Sequence, residues 1–179
     1  MAQTLEFPDD IRPDFQGFSP NAFKFLTGLK KNNDRAWFKA RKDTYDTEIK
    51  FAMECLLGEF TADRRPLGFP VRGDPKRGMF RIYRDVRFSK DKSPFKTHCG
   101  AVLTRSGGKG DPGIIYIHIE PGESFLSAGF YSLEKDFLCA WRTRMATEPN
   151  EFLDLITPFT KRRGEYFLRH RGALKTMPR

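Results

Sequence analysis

Residues 79–98, MFRIYRDVRFSKDKSPFKTH, decide how the rest of the chain is read. From Arg81 to His98 the stretch carries six basic residues, Arg81, Arg84, Arg87, Lys90, Lys92 and Lys96, against Asp85 and Asp91, a net charge of +4. Over 80–88, Phe80, Ile82, Arg84, Val86 and Phe88 alternate with Arg81, Tyr83, Asp85 and Arg87. That two-residue period predicts a half-buried strand. SKDKSP is turn chemistry, since Ser, Asp and Pro each favour a local reversal. A second strand is expected at 95–105. SGGKGDPG is read as a hairpin loop into a third at 114–120, and after Pro121-Gly122 a fourth follows at 124–131. These loops are too short and helix-free for the crossover that parallel pairing needs.

Helices precede the strands. Ser19-Pro20 offers an N-cap with proline at the first helical position, and Phe18 and Phe23 stand at the places of a hydrophobic staple, so a helix is predicted over 20–31. Asn32-Asn33 ends it and can cap the next. From 34 to 61, Trp37, Phe38, Tyr45, Ile49, Met53, Leu56, Leu57 and Phe60 recur at three- and four-residue spacing, predicting one long amphipathic helix. Arg41 falls on that stripe, where a structural pairing or a snorkelling stem accounts for it. Beyond the strands, Ser132 is read as the cap of a helix ended by Pro149, and Asn150 as the cap of a shorter one over 151–157. The predicted fold is therefore α+β: a mostly antiparallel sheet of about four strands, with two N-terminal and two C-terminal helices packed on it. A single domain over 1–179 is expected, with 1–17 as an irregular arm.

The 179 residues suffice for a core without staples. Their net charge of +9 and pI near 9.6 favour a polyanionic or phosphorylated partner. Cys55, Cys99 and Cys139 are odd in number, widely spaced and without a C-x-x-C pair, so neither a disulfide framework nor a zinc knuckle is indicated and a reducing compartment fits best. The N-terminus has no signal-peptide apolar segment, and the longest clean apolar run, 114–117, cannot span a bilayer, so a cytoplasmic protein without a membrane partner is expected.

In the third strand Ile115, Ile117 and Ile119 take one face, and Tyr116, His118 and Glu120 the other. The same parity puts Arg81, Tyr83, Asp85 and Arg87 together on the first strand, and Lys96 and His98 together on the second. If the strands are neighbours, these residues form one polar wall. Arginine forks bind phosphate or carboxylate through paired hydrogen bonds, and lysine adds a point charge. The competing reading pairs Asp85 and Asp91 with Arg84, Arg87 or Lys92 to hold the turn. Two histidines and two carboxylates on one face could also ligate a metal or supply acid and base. No metal-binding spacing motif such as H-E-x-x-H appears, however, and no metal site is assigned from the sequence. SGGKGDPG lacks the order of a phosphate-binding loop, and Cys99 points to the face opposite His98, which disfavours a Cys-His dyad.

The run FRIYRDVRFSKDKSPFKT resembles the F-R-x-x-R-D-x-R-F-S-x-D-K-x-P-Y-K-T signature of a bacterial and fungal family known as domain of unknown function 2461. FSPNAFKFLTGLKKNNDRAWF and YIHIEPGESFLSAGFY extend the likeness over most of the chain, with Phe95 where the family has tyrosine. The resemblance implies an α+β domain without an established activity. It also implies that members continue beyond LKTMPR, so a C-terminal segment is expected to be missing. Motif matching carries over Arg81, Arg84, Asp85, Arg87, Ser89, Asp91, Lys92, Lys96, His118 and Glu120.

The leading expectation is binding of a phosphate-bearing or other anionic ligand through Arg81, Arg84, Arg87, Ser89, Lys92 and Lys96. A second is nonspecific nucleic-acid binding through the tail 161–179, where seven basic residues face only Glu165, together with the Lys/Arg turn. A third is phosphoester hydrolysis, with His118, Glu120 and Asp85 as catalytic groups.

Overall fold

α1, Pro20–Lys31, begins and ends where its local signals place it. In the computed structural model, which describes residues 12–61, 70–131 and 133–161 (side chains to 157), Ser19 is extended and its Oγ accepts from the Ala22 amide at 3.2 Å. Pro20 takes the first helical position, Asn32 caps the end, and Lys30 and Lys31 sit where the helix dipole favours cations. Ala22, Phe25, Leu26 and Leu29 form the buried stripe.

The single helix expected over 34–61 is instead broken. α2, Arg35–Lys39, is capped by Asp34, whose Oδ1 accepts from the Trp37 amide at 2.8 Å. The chain then turns at Ala40-Arg41, and the Arg41 guanidinium lies 4.5 Å from the Trp37 ring centroid, the structural pairing its position called for. α3, Lys42–Thr44, runs through a π-helical segment, Tyr45–Lys50, into α4, Phe51–Glu59. Spacing explains the widened turns. Tyr45, Ile49, Met53 and Leu57 are all buried and four apart, a row that an ordinary α-helix would rotate by about 40° per step. A π-helical stretch takes more residues per turn and holds the row on the core face.

The sheet has three strands rather than about four: β1, Cys99–Thr104, β2, Gly113–Ile119, and β3, Phe125–Phe130, antiparallel and in sequence order. The stretch 80–88 forms no regular strand, but Arg81, Tyr83, Asp85 and Arg87 are exposed and the residues between them more buried up to Val86, so its alternation is real. It pairs only at isolated points, Met79 with Ala101 and Tyr83 with Phe95. Between those points one chain spends three residues and the other five, so no continuous ladder can form. Pro94 then offers no N–H to extend the pairing, though its carbonyl accepts from Arg84.

One sheet face, with Cys99, Ala101, Leu103 and Ile117, joins α1, Phe38 and the buried row of the long helix in a single core. Burial pushes the Cys99 thiol up to about 12, so it is a core group rather than a nucleophile. Asn33 ties the α1–α2 loop to Phe95, its Nδ2 donating to the Phe95 carbonyl and its Oδ1 accepting from the Phe95 amide, both at 3.0 Å.

The chain divides into two compact units, Met1–Tyr131 and Ser132–Arg179. In the second, α5, Lys135–Thr147, and α6, Pro149–Lys161, are joined by Arg144, which donates to Glu148 and Glu151, and by an edge-to-face contact of Trp141 with Phe152. Pro149, read as a helix end, is the first residue of α6, the position a proline tolerates best. The expected Ser132 cap lies outside the described residues; α5 starts after Glu134. No helix among the described residues is long and apolar enough to cross a membrane.

Candidate functional site

Away from the core, β2 presents Tyr116, His118 and, just past its end, Glu120, on the face that strand parity assigns them. The Tyr116 hydroxyl lies 3.1 Å from His118 Nδ1, and His118 Nε2 lies 3.1 Å from Glu120 Oε2. β1 pairs Gly100 with His118, and a Cβ on Gly100 would stand 2.7 Å from the Tyr116 hydroxyl, so glycine makes room for the phenol. From β3, Phe125 stacks on His118 with ring centroids 4.6 Å apart. His98, the residue before β1, brings its ring to 4.2 Å from His118. One donor atom from each of His98, His118 and Glu120 lies within 4.8 Å of the others.

Glu120 is anchored from a second side: Thr97 Oγ1 donates to its Oε1 at 3.2 Å, and Lys30, at the end of α1, approaches the same oxygen at 3.5 Å. Burial pushes the Glu120 carboxyl up, but the hydrogen bonds from His118 and Thr97 and the Lys30 charge outweigh it, and the net shift is downward. His98 is pushed down by burial, then by His118 and Lys96, against the pull of Glu120.

Beside this cluster a pocket of about 400 Å³ lies over the same sheet face, with His98, Val102 and Tyr116 in its lining. Phe80, Lys96 and Lys109 close it. The ammonium groups of Lys96 and Lys109 lie 5.4 and 5.6 Å from the Phe80 ring centroid, and Lys109 also donates to the Met79 carbonyl at 2.9 Å. Burial, then Arg81 and Lys109, push the Lys96 pKa down, so its charge is uncomfortable where it stands.

Residues 21–179 match the family described as Conserved hypothetical protein (DUF2461). The chain belongs to that family. Comparison with curated proteins and with solved structures finds no match.

Within this DUF2461 chain the residues expected on one wall separate into two groups. His118, Glu120, Tyr116, His98 and Lys96 come together. Arg81, Tyr83, Asp85 and Arg87 do not join them, because the side of their segment that meets Tyr116 carries Phe80, whose ring lies 6.0 Å from the Tyr116 ring. Arg81 and Tyr83 line a neighbouring groove with Phe38 and Tyr45, which shares Phe80 and Lys109 with the pocket. Asp85 receives the Arg87 guanidinium, with Nη2 to Oδ2 at 2.6 Å and Nε to Oδ1 at 3.0 Å, and that contact pulls the Asp85 pKa down to about 2. Arg84 pairs with Asp91, which also accepts from the Ser93 amide at 2.9 Å and from its hydroxyl at 2.6 Å. Lys92 donates to the Val86 carbonyl at 2.9 Å, and Ser89 lies partly buried in the same turn. The turn thus uses much of its charge on itself, the competing reading of the sequence.

Sequence reasoning missed Lys109 and Phe80 as pocket residues. Lys109 was a lone lysine in a glycine-rich loop, and only the antiparallel return of that loop beside Met79 gives it a place. The basic tail from 162 onward lies outside the described residues.

Proposed function

We propose that the chain binds a phosphate-bearing or otherwise anionic ligand in the pocket over the outer sheet face, with Lys96 and Lys109 as its cationic anchors. The observation that carries this reading is the convergence of two ammonium groups over Phe80 at a pocket that also holds the Tyr116 phenol and His98. Among the described residues no carboxylate pairs with either lysine. Asp111, which also lines the pocket, is occupied by the Ser106 amide at 2.5 Å. An anion relieves the Lys96–Lys109 repulsion and gains charge-assisted hydrogen bonds. Phe80, Val102 and Ile114 offer an apolar bed for the body of a ligand larger than phosphate itself.

Calorimetric titration with inorganic phosphate, pyrophosphate and a nucleoside monophosphate tests this. In a Lys96→Gln, Lys109→Gln variant the affinity is expected to fall at least about tenfold, since a hydrogen bond to a charged group contributes about 1.5–3 kcal/mol. Unchanged affinity in that variant would sink the reading.

A second reading, phosphoester hydrolysis, is favoured by the Tyr116–His118–Glu120 chain, which holds an imidazole between a phenol and a carboxylate as a proton-transfer group requires. Asp85, engaged by Arg87, has no part in it. His118→Ala should abolish turnover of a generic phosphoester while the circular dichroism spectrum is kept; retained turnover removes the catalytic role.

A further inference from the structure

We propose that His98, His118 and Glu120 bind one divalent transition-metal ion of the zinc class. The proposal goes beyond anion binding and does not depend on it. The three groups come from the adjoining ends of β1 and β2, and their donor atoms lie within 4.8 Å of one another. Two imidazoles and one carboxylate form a donor set that suits a borderline metal and leaves positions open for water or a ligand.

The His118–Glu120 pair is already near the required spacing. Two ligands bound at about 2.0–2.1 Å to a tetrahedral ion stand roughly 3.3 Å apart. Nε2 and Oε2 are 3.1 Å apart, so an ion can take the place of the proton they share after a small opening. His98 must close the remaining distance. It lies outside the regular strand, at a position only partly buried.

The groups behind the ligands fit the same role. When Nε2 gives its lone pair to a metal, the ring proton must sit on Nδ1 and find an acceptor. The Tyr116 oxygen, 3.1 Å away, can accept as well as donate. Thr97 fixes the other oxygen of Glu120. The cations facing the cluster are Lys30, on Glu120, and Lys96, beside His98. Two positive charges so close weigh against calcium or magnesium, which oxygen ligands hold largely by charge, and favour an ion held through imidazole nitrogen. Because His98 also lines the pocket, the ion borders the space assigned to the anion.

The test is a Zn²⁺ titration of the full chain against a chromophoric chelator, with Co²⁺ as the spectroscopic probe. One equivalent is expected, with the visible absorption of a low-coordinate Co²⁺ site and no thiolate charge-transfer band. His98→Ala and Glu120→Gln, each checked by circular dichroism, should lower affinity by at least about 100-fold, and Tyr116→Phe by about tenfold, the usual cost of removing a group behind a ligand. The proposal is overturned if the folded chain takes up no stoichiometric Zn²⁺, or if binding survives His98→Ala and Glu120→Gln together.

Discussion

Asn33 does for Phe95 what a neighbouring strand would do, donating to its carbonyl and accepting from its amide. Removing both bonds with Asn33→Ala should lower stability by about 2 kcal/mol, taking roughly 1 kcal/mol net for each. Urea unfolding should show this as a lower midpoint with an unchanged slope; an unaltered midpoint would mean that water replaces the amide without loss. His98 supplies a pH signature. Its native pKa is depressed from 6.5 by burial and by His118 and Lys96, so the unfolded chain takes up a proton at a higher pH than the folded chain. The stability it contributes is complete above about pH 6.5 and is lost as pH falls toward the native value. Glu120, also depressed, acts in a separate window below its ordinary 4.5. Midpoints measured between about pH 7.5 and 5.5 should fall in the wild type and fall less in His98→Gln; an identical decline in both would contradict the assignment. At this scale the sequence placed His118 and Glu120 on the face where they stand, because strand parity alone fixes their side. It read Asn33 as a helix cap, since its partner Phe95 is distant in the chain.

Elements were legible where their signals are local. The Ser19 cap, Pro20 and the 22–25–26–29 stripe lie within three turns, and α1 follows them. The 34–61 helix breaks at Ala40-Arg41, and beyond that break its row of fours needs a widened turn, which a tally of apolar spacings does not distinguish from the ordinary period. Ile49 tests that account: it is fully buried in the π-helical segment, and Ile49→Ala should cost about 2–4 kcal/mol, as large-to-small core changes do. A loss under about 0.5 kcal/mol would show that the segment is not held by this row. The strand expected at 80–88 failed for another reason. Its alternation is present, but pairing depends on the two extra residues in the opposing chain and on Pro94, which periodicity in one segment cannot reveal. A one-sided error followed, placing Arg81 where Phe80 stands. The β1–β2 pair carries its own prediction. Gly100→Ala should displace the Tyr116 phenol, and so weaken Zn²⁺ uptake about tenfold while the sheet persists. Full affinity would detach Tyr116 from the site.

Across the whole molecule, charge is arranged unevenly in its use. Of the net +9, the residues of the 84–92 turn are largely engaged with Asp85, Asp91 and the Val86 carbonyl, whereas Lys96 and Lys109 face a pocket. The proposed anion site is accordingly the pocket and not the turn. Arg84→Ala and Arg87→Ala should leave phosphate affinity unchanged, as exposed pairs screened by salt contribute little. The most direct measurement is a crystal structure of the chain grown with pyrophosphate. The account predicts density for the anion between the Lys96 and Lys109 ammonium groups, beside Phe80 and Tyr116. Pyrophosphate held instead by Arg84, Arg87 and Lys92, with the pocket containing only water, would contradict it.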